Sequence, residues 1–145
     1  MRTARPLTVI DASVAVKWVL NEPGRDESLL LLDAYESARV TLIAPSLLYA
    51  EVASVLSKRS RRKQLTTEQA REAFRHFEVR TPVLVEIQEH MPSALELSLA
   101  HQLALYDCLY LALAIETGGD LITADERFHR ATFREYPFVR LLGKS

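Results

Sequence analysis

With only one cysteine in 145 residues, Cys108 has no intramolecular disulfide partner, which suits a reducing compartment and leaves stability to the apolar core. Glycine and proline are scarce too, at 4 and 6, too few for linkers or extended disorder. No apolar run reaches the roughly 18 residues a membrane-spanning helix needs. The N-terminal segment MRTARPLTVID has too short an apolar stretch before Asp11 for a signal-peptide core, so the cytoplasm is the expected location. A formal net charge of -1 gives no global attraction to nucleic acid; phosphate binding would have to rest on local patches or bound cations. The chain has 48% hydrophobic and 26% charged residues, and a length that removes roughly two-thirds of the unfolded surface from water. One domain spanning residues 1–145 is expected.

The hydrophobic pattern alternates between strand and helix. Leu7 to Ile10 is a short run rich in β-branched residues, followed by a helix-compatible stretch, Ser13 to Leu20, that stops at Asn21 to Gly24. A helix over Asp26 to Ala38 leads to the strand "VTLIAP", closed by Pro45, with Ser46 placed to cap the helix "LLYAEVASVLSK". Thr66 or Thr67 can cap a helix carrying Ala70, Ala73, Phe74 and Phe77, and Pro82 to Ile87 reads as a third strand. Pro92 opens a helix through His101. Asp107 to Glu116 is apolar almost all round, as a buried helix must be, and Gly118 and Gly119 end it. "DLIT" is a fourth strand and "FVRLL" a fifth. Strands separated by helices pair in parallel through right-handed crossovers, giving a three-layer α/β/α sandwich around a central, mostly parallel sheet of four to five strands.

Open α/β sheets bind ligands beyond the carboxyl ends of their strands. Asp11 follows the first strand and Asp125 the fourth, and each also precedes a helix, where aspartate serves equally well as an N-cap. Asp107 stands near the start of the apolar helix and shares that ambiguity. Glu51 does not. It lies in the apolar stripe of Leu47, Leu48, Val52, Val55 and Leu56, mid-helix, where no cap is needed and a carboxylate calls for a partner: a salt bridge, water at the stripe's edge, or a metal. Four carboxylates in one cleft repel unless a divalent cation neutralises them, and oxygen-only ligands suit Mg²⁺ or Mn²⁺ and phosphoryl chemistry. Ser13 and Thr123, each two residues from an acidic partner, are placed to orient a carboxylate or a metal-bound water, or to make local turn bonds.

With these residues assembled, the chain resembles the PIN-domain ribonucleases, and in particular the small VapC-type toxins of bacterial and archaeal toxin–antitoxin pairs. The likeness rests on "VIDASVAVKWVLNEP", "APSLLYAEVASVL" and "LALYDCLYLALAIETGGDLITADERF", in that order and spacing, and covers nearly the whole chain. It implies a PIN-like fold and an acidic metal site at Asp11, Glu51, Asp107 and Asp125. It further implies an Mg²⁺- or Mn²⁺-dependent endoribonuclease leaving 5′-phosphate and 3′-hydroxyl ends. The protein would form a homodimer, be inhibited by a cognate antitoxin, and reach operator DNA only through that antitoxin.

"KRSRRK", with Lys58, Arg59, Arg61, Arg62 and Lys63, follows the Glu51 helix. It suits either a solvated helix end or an RNA-backbone track, with Arg71 and Arg75 extending it. Cys108 is expected in the core. His76, His90, His101 and His129 show no zinc-ligand spacing and are expected on surfaces or helix faces, while Trp18, Phe74, Phe77 and Tyr110 sit at core-compatible positions. A phospho-accepting receiver domain would need an acidic pair after the first strand and a late lysine after a strand. A dinucleotide fold would need a glycine-rich turn. Neither is present. The remaining alternative is a catalytically inactive PIN-fold module binding an antitoxin-like partner or RNA.

Overall fold

The computed structural model of the chain describes residues 7–144. The segment before Leu7, weighed above as part of a signal sequence, lies outside the described residues. Five strands, β1 (Leu7–Ile10), β2 (Thr41–Pro45), β3 (Val83–Val85), β4 (Asp120–Thr123) and β5 (Val139–Leu141), form one sheet in the order β3-β2-β1-β4-β5. Every pairing is parallel, so the sheet is wholly rather than mostly so. In β1 and β2, consecutive residues from Val9 to Ile10 and from Leu42 to Pro45 are buried, which requires cover on both faces. That cover comes from α1 (Ala12–Ala15), α2 (Arg25–Glu36), α3 (Leu47–Arg61), α4 (Thr67–Glu78), α5 (Met91–His101), α6 (Leu105–Thr117) and α7 (Glu126–Thr132).

The chain starts at the middle of the sheet, builds outward through β2 and β3, and then crosses β1 to lay down β4 and β5. Connections therefore leave β1 and β4 toward opposite sides, opening a crevice beyond their carboxyl ends. Register fixes that crevice, with Val9 beside Ile43 on one side and Ile10 beside Ile122 on the other. At the opposite end of the same pair the backbones nearly touch. A Cβ on Gly119 would lie 2.5 Å from the Leu7 carbonyl oxygen, so only glycine fits where the chain approaches β4.

Helix α6 is the central beam. All seven residues from Cys108 to Ala114 are buried, and the helix packs across β1, β2 and β4. Gly118 ends it in the left-handed conformation, at φ 73°. Helices α3 and α4 form a hairpin closed by an aromatic cluster, with Tyr49 edge-on to Phe74 at 5.2 Å. Its second helix, α4, starts with a capping box in which Thr66 and Gln69 each satisfy the other's backbone N–H. Among the described residues no single helix is long and apolar enough to cross a membrane.

Several boundaries differ from the sequence pattern, for physical reasons. The helix expected over Ser13 to Leu20 is one α-turn that tightens into a 3₁₀ turn at Val16–Trp18. There the Trp18 indole swings under α2 and donates to the Ser28 carbonyl at 3.0 Å. Ser46 stands before α3 with helical backbone angles and makes no side-chain cap bond. The third strand shrinks to three residues because Pro82 has no N–H to give and Ile87 is drawn into the turn that starts α5.

Candidate functional site

Asp11 is the first residue past β1, in extended conformation (φ -104°, ψ 179°), and caps α1 by accepting the Ser13 N–H at 3.1 Å. The Ser13 hydroxyl donates to the same carboxylate oxygen. Asp125, two residues past β4, caps α7 by accepting the N–H groups of Arg127 and Phe128 on one oxygen, at 3.0 and 3.1 Å. Its second oxygen takes no hydrogen bond among the described residues. Capping and a place in the crevice are thus not alternatives for these aspartates, because a cap uses one oxygen of two.

Asp107 lies elsewhere than the sequence pattern suggested. Helix α6 begins at Leu105 with Ala104 as its N-cap, so Asp107 occupies the first turn and makes no cap bond. Its charge is favoured there by the helix dipole and answered by no hydrogen bond or ion pair among the described residues. Glu51 enters from α3, half-buried, and one of its oxygens accepts the phenol of Tyr110.

The four carboxylates bear on one another electrostatically. Burial pushes Asp11 up from 3.8 to about 6, against hydrogen bonds from Ser13 and Thr123, and the charge of Asp107 adds to the rise. Glu51 is raised by burial and then by Asp107, with Tyr110 opposing. Asp107 is raised by burial and by Asp125. Asp107 is therefore the hub. Burial drives the Tyr110 hydroxyl far above its ordinary range, and the charges of Glu51, Asp11 and Asp107 follow, so it remains a neutral donor amid three carboxylates. None of the four is within ion-pair distance of a lysine, arginine or histidine among the described residues, so the cluster is uncompensated.

As placed, no three histidine, cysteine, aspartate or glutamate side chains among the described residues stand close enough to grip one ion. The chemistry of the donor set nevertheless fits a hard divalent cation. It is all oxygen and negative, with Asp11, Glu51 and Asp107 half-buried and Asp125 exposed, and Mg²⁺ keeps several of its waters while using only one or two carboxylates directly.

Hydroxyls tie the crevice together. Ser13 accepts the Ala124 N–H at 2.8 Å and lies 3.4 Å from the Thr123 hydroxyl, which accepts the Asp125 N–H at 3.1 Å. Tyr110 is the residue sequence reading missed, since it looked like core and is core, at 2% exposure. The available signal was its spacing: three residues past Asp107 puts it on the same helix face.

The basic run divides. Arg59 pairs with Glu22 at 2.8 Å, in a network completed by Lys17 at 3.0 Å. Lys58, Arg61, Arg62 and Lys63 are exposed and make no ion pair among the described residues. They do not adjoin Glu51, because Arg61 lies about 15 Å farther along α3 at 1.5 Å per residue. Arg71 and Arg75 are engaged by Glu68 and Glu72 on α4.

Cys108 is fully buried, and burial, with the charge of Asp107, pushes its thiol up to about 11, against a thiolate nucleophile. One histidine departs from expectation: His90 is buried rather than on a surface, where it meets Glu116.

No curated protein matches the sequence. Solved structures do match in fold. PAE2754 from Pyrobaculum aerophilum aligns with a TM-score of 0.67 at 19% identity, over 89% of this chain and 88% of that one. VapBC2 from Rickettsia felis, bound to a DNA fragment from its promoter, aligns at 0.66 and 18%, over 93% and 96%. Mycobacterium tuberculosis VapC20, a sarcin-ricin loop cleaving toxin, aligns at 0.62 and 16%, over 86% and 95%. The family model described as PIN domain matches residues 8–134, a span holding the sheet apart from Leu7 and β5 and all four carboxylates, so this chain belongs to the PIN domain family.

Proposed function

We propose that the protein is a divalent-metal-dependent endoribonuclease, the toxin of a type II toxin–antitoxin pair. What supports this reading is that Asp107 feels or exerts charge on Asp11, Glu51 and Asp125, carboxylates from separate elements, with no lysine, arginine or histidine among the described residues at ion-pair distance from any of the four. Their role is to hold Mg²⁺ or Mn²⁺, directly or through water. A divalent ion bound there supplies charge neutralisation at phosphate and a more acidic water for in-line attack on a phosphodiester.

The chain's own residues set the stage for that attack. Asp11 and Asp125 present carboxylates whose backbone positions are fixed by the caps they form, and Ser13 and Thr123 join the two strand ends so that both move as one unit. Lys58, Arg61, Arg62 and Lys63 offer an approach for the RNA backbone outside the crevice. Products carry 5′-phosphate and 3′-hydroxyl ends. The partners in this reading are RNA, a cognate antitoxin and a second copy in a homodimer, in the cytoplasm, with operator DNA contacted only through the antitoxin. Supporting a protein partner, the fold matches a toxin–antitoxin complex from Klebsiella pneumoniae as well as VapBC2.

The deciding experiment is cleavage of a panel of structured RNAs with Mg²⁺, with Mn²⁺ and with EDTA, beside Asp11→Asn. Metal-dependent cleavage lost in the variant is expected. Cleavage that persists in EDTA, or full activity of Asp11→Asn, would refute the reading. A folded wild type that cuts nothing would point instead to an inactive PIN-fold binding module.

A further inference from the structure

We propose that Tyr110 is a positioning residue, its buried hydroxyl fixing the Glu51 carboxylate so that one oxygen is held by the protein and the other faces the crevice for a divalent cation. This rests on the metal-site reading above. A glutamate has three side-chain torsions, and a half-buried one on α3 has several ways to turn. The Tyr110 phenol selects among them by donating to Oε1, which leaves Oε2 without a hydrogen bond among the described residues.

Tyr110 suits that task for two reasons. Its ring is almost wholly buried in the middle of α6, flanked by buried neighbours on both sides, so packing restricts where the donor can point. The donor is also neutral. A lysine or arginine in its place would orient Glu51 but cancel the charge a cation needs, whereas a phenol orients the carboxylate and leaves its charge intact. Helix α6 thereby acts twice, presenting Asp107 itself and, one turn later on the same face, setting the carboxylate of α3.

A purely structural role is the competing account, because a buried tyrosine hydroxyl needs some acceptor. Mn²⁺ affinity, measured by calorimetry without RNA, separates the two in the wild type, Tyr110→Phe, Glu51→Gln, the double variant and Asp11→Asn. Tyr110→Phe is expected to weaken Mn²⁺ binding about tenfold, within the range of lost outer-shell contacts, and the double variant to bind no more weakly than Glu51→Gln alone. Wild-type affinity in Tyr110→Phe, or a loss that adds in full to that of Glu51→Gln, overturns the assignment. Were the wild type to bind no Mn²⁺, or Asp11→Asn to bind it equally well, the metal reading itself would fall and this inference with it. If Tyr110→Phe does not fold, the intact protein still decides. The ring-carbon resonance of Tyr110 next to the hydroxyl, in selectively labelled protein, should shift in step with Mg²⁺ occupancy; a resonance that stays fixed while Mg²⁺ binds overturns the assignment.

Discussion

Ser13 and Ala124 lie 111 positions apart, yet the hydroxyl of one accepts the backbone N–H of the other at 2.8 Å while donating its own proton to Asp11. One small side chain thus joins the end of β1 to the loop after β4, at the point where the sheet opens. Ser13→Ala leaves the Ala124 N–H without its acceptor and removes the hydroxyl bond to Asp11, while the backbone N–H of residue 13 still caps through the same carboxylate. A stability loss of about 1–3 kcal/mol follows from the unmet donor. Ser13→Thr, which keeps the hydroxyl, should recover most of it. Urea denaturation of the two variants checks this, and equal stability of Ser13→Ala and wild type would show that the link carries no weight.

The carboxylate that Ser13 holds costs the metal-free protein stability. Burial raises Asp11 to about 6 in the folded state against 3.8 as its ordinary value, so the folded chain binds that proton more tightly than the unfolded chain. The group's contribution is therefore most favourable in acid, declines as pH rises between those two values, and above them amounts to a full penalty of about 3 kcal/mol at 1.36 kcal/mol per pH unit. Asp11→Asn escapes that penalty. In EDTA, the variant should be more stable than wild type at neutral pH, with the gap closing toward pH ~4. Excess Mg²⁺ should shrink or reverse the gap, since a ligand bound only by the folded state stabilises it. Cleavage by the same variant should fall roughly a thousandfold, the several kcal/mol that a metal supplies to such chemistry. A stability difference independent of pH would contradict the assigned cause.

Glu51 was the most legible candidate, because a carboxylate inside an apolar stripe has few explanations and none of them is local. Asp11 and Asp125 were legible in place but not in role. Sequence spacing shows a good cap and a strand end at once, and only the structure shows that the cap uses one oxygen and leaves the other. Tyr110 was hidden for the opposite reason: an aromatic in a buried helix satisfies the core pattern so fully that its hydroxyl attracts no notice. The alternation of strands and helices gave the parallel sheet. The strand order, with β1 central, depends on contacts among distant segments and on the reach of each crossover, which periodicity does not encode. Likewise the misplaced start of α6 reflects Leu105 and Tyr106, which continue the helix upstream of Asp107 with no capping side chain to mark its beginning.

Gly119 and Gly118 stand side by side but answer to different constraints. A methyl group on Gly119 would meet the Leu7 carbonyl oxygen at 2.5 Å, pushing β1 from β4 at the sheet end remote from the crevice. Gly118 has open space around it and only its φ of 73° to maintain. Gly118→Ala should cost about 1 kcal/mol, the penalty of a left-handed residue with a Cβ. Gly119→Ala should cost more, about 1–3 kcal/mol, as overpacking does. Thermal denaturation ranks the pair, and the reverse order would mean that the strand end yields easily. Because the strain sits far from the carboxylates, the folded fraction of either variant should keep the wild-type Mn²⁺ affinity.

The basic run at the end of α3 makes a sharper test than its charge alone suggests, since its cations are not equivalent. Arg59 is 37% exposed and spends its guanidinium on Glu22; burial acts to raise that carboxyl, but the bonds from Arg59 and Lys17 hold it below its usual value. Arg59→Ala should therefore lower stability by about 1 kcal/mol, the scale of a largely surface ion pair, and leave the salt dependence of RNA binding as it was. Arg61 and Arg62 have no such partner among the described residues. Replacing both with alanine should spare stability and reduce the slope of log affinity against log salt by about 1.4, at roughly 0.7 for each contact to single-stranded phosphate. Binding isotherms from low to moderate salt distinguish these outcomes. An unchanged slope in Arg61→Ala/Arg62→Ala would remove the run from RNA recognition. It would not touch the carboxylate site, because the two lie about 15 Å apart along the helix and depend on different side chains.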